Sequence, residues 1–105
     1  MILTTCDFVP NKKIKEVLGI ALGNTVRAKS FAKDFTAALK NLVGGEISEY
    51  TELLREARSQ ALYRMEEEAR KLGADAVINI RFVTASVMQG AAELLAYGTA
   101  VKFED

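Results

Sequence analysis

The sequence predicts an α+β fold, a small antiparallel or mixed β-sheet covered on one face by two helices. Hydrophobic residues alternate in two-residue steps from Ile14 and again after Gly73, and between these segments they recur every three to four residues. The chain has 105 residues, of which 50% are hydrophobic and 27% charged. These values predict one packed domain spanning residues 1–105.

The chain opens with a predicted strand from Met1 to about Phe8, which is apolar and β-branched and ends at a turn at Val9-Pro10-Asn11. A second strand starts at Ile14, and Gly19 and Gly23 within it mark bulges or close backbone contacts. Strict alternation places the following residues on one face: Glu16, Leu18, Ile20 and Leu22.

Two helices are predicted next. The first begins at Ser30, a suitable N-cap, and ends at Gly44-Gly45, and the second begins near Ser48 and ends at Gly73. The apolar stripe of the first helix comprises Phe31, Phe35, Ala38, Leu39 and Leu42, and that of the second comprises Tyr50, Leu53, Leu54, Ala57, Ala61, Met65, Ala69 and Leu72. The spacing also predicts ion pairs from Glu66 to Arg70 and from Glu67 to Lys71.

Two strands complete the chain, joined by a turn near Gln89-Gly90. In the first, alternation predicts that the face with Ala76, Ile78, Ile80 and Phe82 meets the helices. The second, Ala91 to Phe103, is largely apolar on both faces. Two helices cover only one face of a small sheet, so a monomer would leave the face with Leu94 and the alanines in water. The sequence therefore predicts oligomerisation.

Charge and composition exclude several classes of function. Lys plus Arg and Asp plus Glu both number 14, so the chain lacks the positive field of a nucleic-acid-binding protein. It has no His and a single Cys6, which excludes a catalytic triad, a His-ligated metal and an intrachain disulfide. No signal peptide or membrane-spanning stretch is present in the sequence, which predicts a cytoplasmic protein that does not bind membranes.

Several strings of residues resemble those of a known family. They are Val17-Leu18-Gly19, Gly23-Asn24-Thr25-Val26-Arg27, Lys40-Asn41-Leu42-Val43-Gly44-Gly45-Glu46, Tyr50-Thr51-Glu52-Leu53-Leu54, Leu72-Gly73-Ala74-Asp75-Ala76-Val77, Arg81-Phe82 and the run from Met88 to Val101. The chain resembles the YbjQ-like family of "putative heavy-metal-binding" proteins over almost its whole length. The resemblance implies a dodecin-like subunit, a ring-shaped homopentamer, and no enzymatic activity or catalytic residues.

Cys6 is the one soft metal ligand of the chain. A thiolate here could hold zinc, cadmium or copper only with donors from neighbouring copies, which a ring would bring together. The alternative is that Cys6 is a small apolar residue near an interface. The cofactor therefore stays open, with a divalent or heavy-metal ion as one possibility.

Arg27 is a candidate for either ligand binding or assembly. Its guanidinium could clamp a carboxylate or phosphate, assisted by the backbone N–H groups of Gly23 and Asn24. The alternative is an ion pair between subunits with Glu46 or Glu93. Glu46 follows two glycines that suit a hinge or an interface joint.

Polar residues at the last hairpin, Gln89, Glu93 and Tyr97, are further ligand or interface candidates. Glu93 and Tyr97 share a strand face about 13 Å apart, too far for a direct acid–base pair. The sequence thus favours a non-enzymatic homo-oligomer that binds a metal ion or a small anion. The alternative is a purely structural scaffold without a small-molecule ligand.

Overall fold

The computed structural model describes residues 1–28, 48–88 and 91–105, and confirms an α+β fold with a four-stranded mixed sheet. Its elements are β1 (Ile2–Leu3), β2 (Ile14–Ala28), α1 (Ser48–Lys71), β3 (Ala76–Met88) and β4 (Ala91–Phe103). In these three ranges one helix covers the sheet, where the sequence predicted two. The predicted helix from Ser30, its end at Gly44-Gly45 and the turn at Gln89-Gly90 lie outside the described residues.

The strand order is β1-β3-β4-β2, with β1 parallel to β3 and both other pairings antiparallel. The first strand is shorter than predicted, because regular strand pairing ends at Leu3 and residues 5–8 form bends, although Thr4 and Cys6 still hydrogen-bond to the edge of β3. The predicted turn at Pro10 is present, and the Lys12 N–H donates to the Val9 carbonyl at 3.2 Å. This topology leaves β2 at one edge of the sheet.

Strand β2 contains a bulge at Gly19, as the sequence predicted. Gly19 has φ 135°, which favours glycine, and the β2–β4 register shifts between Val17 and Gly19. The extra residue changes which side chains share a face, so Leu18 and Ala21 both pack in the core under α1. The prediction that Leu18 shares a face with Ile20 and Leu22 is therefore wrong, since the alternation was carried through the bulge without a shift.

Strand β3 contains a comparable irregularity that the sequence analysis missed. Asn79 has φ 54°, and the β3–β4 register shifts between Ile78 and Arg81. Val77 and Ile80 consequently pack with α1, whereas Ala76 and Ile78 belong to a separate cluster with Val101, Val9 and Phe103. The prediction that Ala76, Ile78 and Ile80 share one face is wrong for this reason.

Helix α1 packs on β2 and β4 through a narrow stripe of small residues and one methionine. The fully buried side chains of the stripe are Ala57, Ala61, Met65 and Ala69. Leu54 and Leu72, which the sequence placed on the same stripe, are exposed. A Cβ on Gly23 would collide with the backbone of Ala61 and Met65, so the predicted close backbone contact at this glycine is confirmed.

The end of α1 follows the sequence prediction closely. Gly73 has φ 80°, its N–H donates to the Arg70 carbonyl at 3.0 Å, and the Ala74 N–H donates to the Ala69 carbonyl at 3.1 Å. These two bonds form a Schellman motif. The predicted Glu66–Arg70 ion pair is present at 2.9 Å. Lys71 pairs with Glu68 at 3.2 Å, which replaces the predicted pair with Glu67.

Strand β4 has the predicted bounds, but its covered face is the opposite of the predicted one. Leu94, Ala96 and Ala100 are buried on the helix side of the sheet. Small side chains on this face let the helix approach closely. Gly98 leaves room for a side chain of β3, because a Cβ there would lie 2.6 Å from the Val77 Cγ1. The expectation that a monomer leaves the Leu94 face in water is therefore wrong. Within the described residues, the opposite face is the one that no helix covers.

Candidate functional site

The face of the sheet opposite α1 forms the candidate site and is called the open face. Strand registers place side chains in rows across it: Leu22, Tyr97 and Arg81 form one row, Asn24, Leu95 and Val83 the next, and Val26, Glu93 and Ala85 a third. At one end of the sheet this face is covered by the cluster containing Val9 and Phe103. The site therefore lies on the remaining part, toward the β3–β4 hairpin.

Large apolar side chains are exposed on the open face, mainly on the outer strands. Ile20, Leu22 and Val26 of β2 are 71%, 51% and 56% exposed, whereas Leu95 and Tyr97 of the central strand β4 are half-buried. On β3, Val83 and Met88, which lie opposite Leu95 and Ala91, are 46% and 66% exposed. Several exposed large apolar side chains on one sheet face are typical of an interaction site.

The structure brings together two of the predicted site residues, Asn24 and Glu93. The Asn24 Nδ2 donates to the Glu93 Oε2 at 3.1 Å across the β2–β4 pair. The Asn24 carbonyl accepts a hydrogen bond from the Arg64 Nη1 of α1 at 2.6 Å. This carbonyl points to the outer edge of β2, and the guanidinium reaches it from the helix side.

The remaining predicted site residues of the strands and loops are Tyr97, Arg27, Glu46 and Gln89. Tyr97 lies on the open face opposite Leu22 and Arg81, two rows from Glu93, so no acid–base pair forms between Tyr97 and Glu93. The backbone of Arg27 lies in β2 opposite Ala92, and its side chain is outside the described part of the chain. Glu46 and Gln89 also lie outside the described residues.

Cys6 is exposed and lies in the bend after β1, where the sequence predicted a strand. Its N–H donates to the Thr4 Oγ1 at 3.1 Å, and its carbonyl accepts the Asn79 N–H at 2.9 Å. These bonds fix the backbone of Cys6 against the bulge of β3. The part of the chain that the structure describes holds no cluster of three or more His, Cys, Asp or Glu side chains that could bind a metal ion.

A shallow groove of about 410 Å³ runs between the outer edge of β2 and the last turns of α1. Its lining residues are Ile20, Leu22, Gly23, Asn24, Arg64, Glu68 and Leu72. Arg64, Glu68 and Leu72 form its helix wall, and Ile20, Leu22 and Asn24 lie on its strand wall. The groove can therefore receive a segment with mixed apolar and polar groups.

Sequence reasoning missed two arginines that organise this region. Arg64 binds the Asn24 carbonyl, and Arg81 donates to the carbonyls of Thr5 at 3.0 Å and Ile80 at 2.8 Å. Arg64 precedes Met65, which belongs to the buried stripe of α1. The helical period could therefore have predicted that Arg64 lies beside this stripe. The hydrogen-bond partner of Arg81 could not be predicted from the sequence, because it depends on the path of the N-terminal segment.

Comparison with known proteins now identifies the family. A family model described as "Putative heavy-metal-binding", YbjQ_1, matches residues 1–104. The chain belongs to this family. The resemblance seen in the sequence is thereby confirmed over essentially the whole chain.

Relatives in this family are similar along their full length. A UPF0145 protein from Archaeoglobus fulgidus is 63% identical over 102 residues, covering 97% of this chain and 94% of the relative. The corresponding proteins from Thermotoga maritima and Thermus thermophilus are 57% and 56% identical over 104 residues, covering 99% of this chain and 98% and 91% of theirs. None of these names states an enzymatic activity.

The fold is also found in a solved structure. A protein of unknown function from Pediococcus pentosaceus, assigned to the DUF74 family, superposes with a TM-score of 0.60 at 17% identity. The match covers 99% of this chain and 98% of that one, so the two share the fold. No helix in the described ranges is long and apolar enough to cross a membrane.

Proposed function

We propose that the chain is the subunit of a non-enzymatic, cytoplasmic homo-oligomer whose open face and sheet edges are buried by other copies. The family resemblance favours five copies in a ring. The polar residues then serve a small ligand held between copies, either a metal ion or an anion. The alternative function is a structural scaffold in which those residues only satisfy the interface.

The accessible surface of a single chain carries this proposal. It amounts to 7020 Å², whereas a compact monomer of the same mass exposes about 5,800 Å². The difference, about 1,200 Å², is close to the lower end of the area that a specific interface buries. One chain thus exposes enough additional surface for one interface per subunit.

The shape of the chain supports the same reading. Its radius of gyration is 17.1 Å and its extents are 55 × 28 × 16 Å, against about 13 Å for the radius of gyration of a compact domain of this size. The β2, β3 and β4 strands extend as a thin layer, with exposed apolar residues on the open face. Among the described residues, α1 covers the other face of this layer, so the exposed apolar residues of the open face are available to other copies.

Sedimentation velocity and equilibrium of the purified protein test the assembly. We expect one species at micromolar concentration whose mass is a small-integer multiple of the chain mass, with five copies expected from the family resemblance. A monomer under these conditions would contradict the proposal. A closed oligomer of another number would retain the assembly and exclude the pentamer.

Metal titration followed by elemental analysis separates a metal site from a scaffold. Since each chain supplies one thiolate, a thiolate site forms only where copies of Cys6 meet. Stoichiometric retention of zinc, cadmium or copper that the variant Cys6→Ser loses, without loss of assembly, supports the metal site. No retention of any of these metals leaves the anion site and the scaffold.

The variant Arg27→Lys distinguishes the anion site from the scaffold. A point ammonium keeps the charge but cannot make the planar two-bond contact of a guanidinium. If Arg27 binds an anion, phosphate or a small carboxylate raises the Tm of the wild type and not that of the variant, and assembly is unchanged. If Arg27 pairs across an interface, the variant has a lower Tm or a looser oligomer in every buffer.

A further inference from the structure

We infer that successive copies join edge to edge: the outer edge of β2 in one copy pairs with the free edge of β3 in the next, so that one sheet continues through the oligomer. The inference rests on the proposed assembly and specifies how it is built. The partner is a second copy of this chain, and the contact is a strand pair.

The free edge of β3 begins where the N-terminal segment ends. Thr4 and Cys6 hydrogen-bond to the backbone of Val77, Asn79 and Ile80, which occupies the first part of the β3 edge. Arg81 then closes this segment by binding the Thr5 carbonyl. From residue 82 to Met88 no described segment pairs with this edge, and all seven side chains are exposed.

The outer edge of β2 is the second free edge. The Asn24 carbonyl points outward to Arg64, and because backbone groups alternate along a strand, Leu22 and Val26 direct theirs to the same edge. Arg64 is exposed at the end of a flexible side chain, so it can release the Asn24 carbonyl to an incoming strand. Among the described residues, no strand pairs with this side of β2.

Both edges lack the residues that normally protect a strand edge. The segments 17–26 of β2 and 82–88 of β3 contain no charged residue and no proline. Monomeric proteins protect exposed edges with lysines, prolines or inward-pointing charges. Two unprotected edges at opposite sides of one sheet are what a repeated contact between identical copies requires.

The apolar side chains favour the pairing of β2 with β3 over a pairing of each edge with itself. On the open face, the most exposed large apolar residues lie on these two outer strands, with Ile20, Leu22 and Val26 on one and Val83 and Met88 on the other. A β2–β3 junction brings both sets together in one contact. A β3–β3 junction would leave the β2 set in water.

The direction of the strands follows from the sheet. Strands β2 and β3 are both antiparallel to β4, so they run parallel to each other. Pairing edge to edge around a ring requires strands that run roughly along the ring axis. Rotation about that axis keeps the direction of each strand, and the junction is therefore a parallel pair. Two different patches in contact form a heterologous interface, which closes into a ring when the rotation per copy divides a full turn.

Disulfide trapping tests this junction in the full chain with Cys6→Ser as background. One cysteine is introduced on β2, as Leu22→Cys or Val26→Cys, and one on β3, as Val83→Cys or Met88→Cys, and each of the four combinations is oxidised. Within a copy, β4 separates these positions by about 10 Å, which is too far for a disulfide. Any disulfide therefore joins two copies.

We expect at least one combination to give a ladder of covalent multimers ending at the size of the oligomer, while every single-cysteine protein stays uncrosslinked. As a matched control, Tyr63→Cys on the outer side of α1 replaces the β3 cysteine and gives no ladder. Disulfide dimers of a β3 single-cysteine protein would overturn the inference in favour of a two-fold β3–β3 contact.

The mass of each variant before oxidation distinguishes a wrong junction from the absence of assembly. An oligomer of normal mass in which no combination crosslinks overturns the edge-to-edge junction and leaves the proposed assembly intact. A wild-type monomer overturns both.

Discussion

Gly23 controls how closely strand β2 approaches helix α1. A methyl group at this position would meet the backbone of Ala61 and Met65, which cannot rotate away as a flexible side chain would. The same strand position lies between Leu22 and Asn24, whose side chains point to the open face. One residue without a side chain thus sets the helix–sheet distance and, through it, the position of Arg64 beside the Asn24 carbonyl.

The variant Gly23→Ala is therefore expected to lower the free energy of unfolding by about 3 kcal/mol, the upper part of the usual range for overpacking. Denaturant titration at fixed protein concentration measures the loss. The neighbouring variant Asn24→Ala serves as control, because it removes an exposed hydrogen bond and costs no more than about 1 kcal/mol. Equal stabilities of the two variants would contradict the close contact.

At the scale of the element, the bulge at Asn79 decides which side chains of β3 face α1. The residue adopts φ 54°, which asparagine tolerates and β-branched residues do not. Its N–H donates to the Cys6 carbonyl, so the bulge also holds the N-terminal segment. Without the bulge, either Val77 or Ile80 would leave the core.

We expect Asn79→Val to lower the free energy of unfolding by about 1–2 kcal/mol and Asn79→Gly to leave it nearly unchanged. Both variants keep the backbone N–H, so the difference isolates the backbone conformation. Thermal and denaturant unfolding followed by circular dichroism provide the measurement. A valine variant as stable as the glycine variant would show that the left-handed conformation is not required.

The two bulges also explain which parts of the fold could be predicted from the sequence. Local signals, namely the hydrophobic period and the capping residues, were enough to predict three features. These are the bounds of β4, the helix from Ser48 and the end of that helix at Gly73. Gly19 was recognised as a bulge, yet its effect on the faces of β2 was not applied. Asn79 gave no usable signal, since asparagine is common in many loop and strand-end conformations.

The candidate site was predictable only where it depended on local pattern. The sequence singled out both Asn24 and Glu93, but their hydrogen bond depends on the diagonal register between β2 and β4. The open face was assigned to the wrong side because an alanine-rich strand face was taken as uncovered. Small residues are what a closely packed helix needs, so that face is buried by α1 and the larger side chains of Leu22, Val26 and Val83 lie outside.

At the scale of the whole molecule, the open face is expected to be the part of the surface on which assembly depends. Leu94 does not test this, because its side chain is buried and a lysine there would unfold the chain. Leu22 does, since it is 51% exposed, lies on the open face of an edge strand and makes no hydrogen bond through its side chain. A charge at this position therefore tests whether other copies cover the open face.

We expect Leu22→Lys to dissociate the oligomer into folded monomers, because assembly would force an unpaired ammonium into an apolar contact at a cost of several kcal/mol. Tyr63→Lys introduces the same charge at a residue that is 63% exposed on α1, and it should assemble normally. Sedimentation velocity reports the mass, and circular dichroism confirms that both variants fold. If Leu22→Lys assembles like Tyr63→Lys, the open face at Leu22 is not buried between copies.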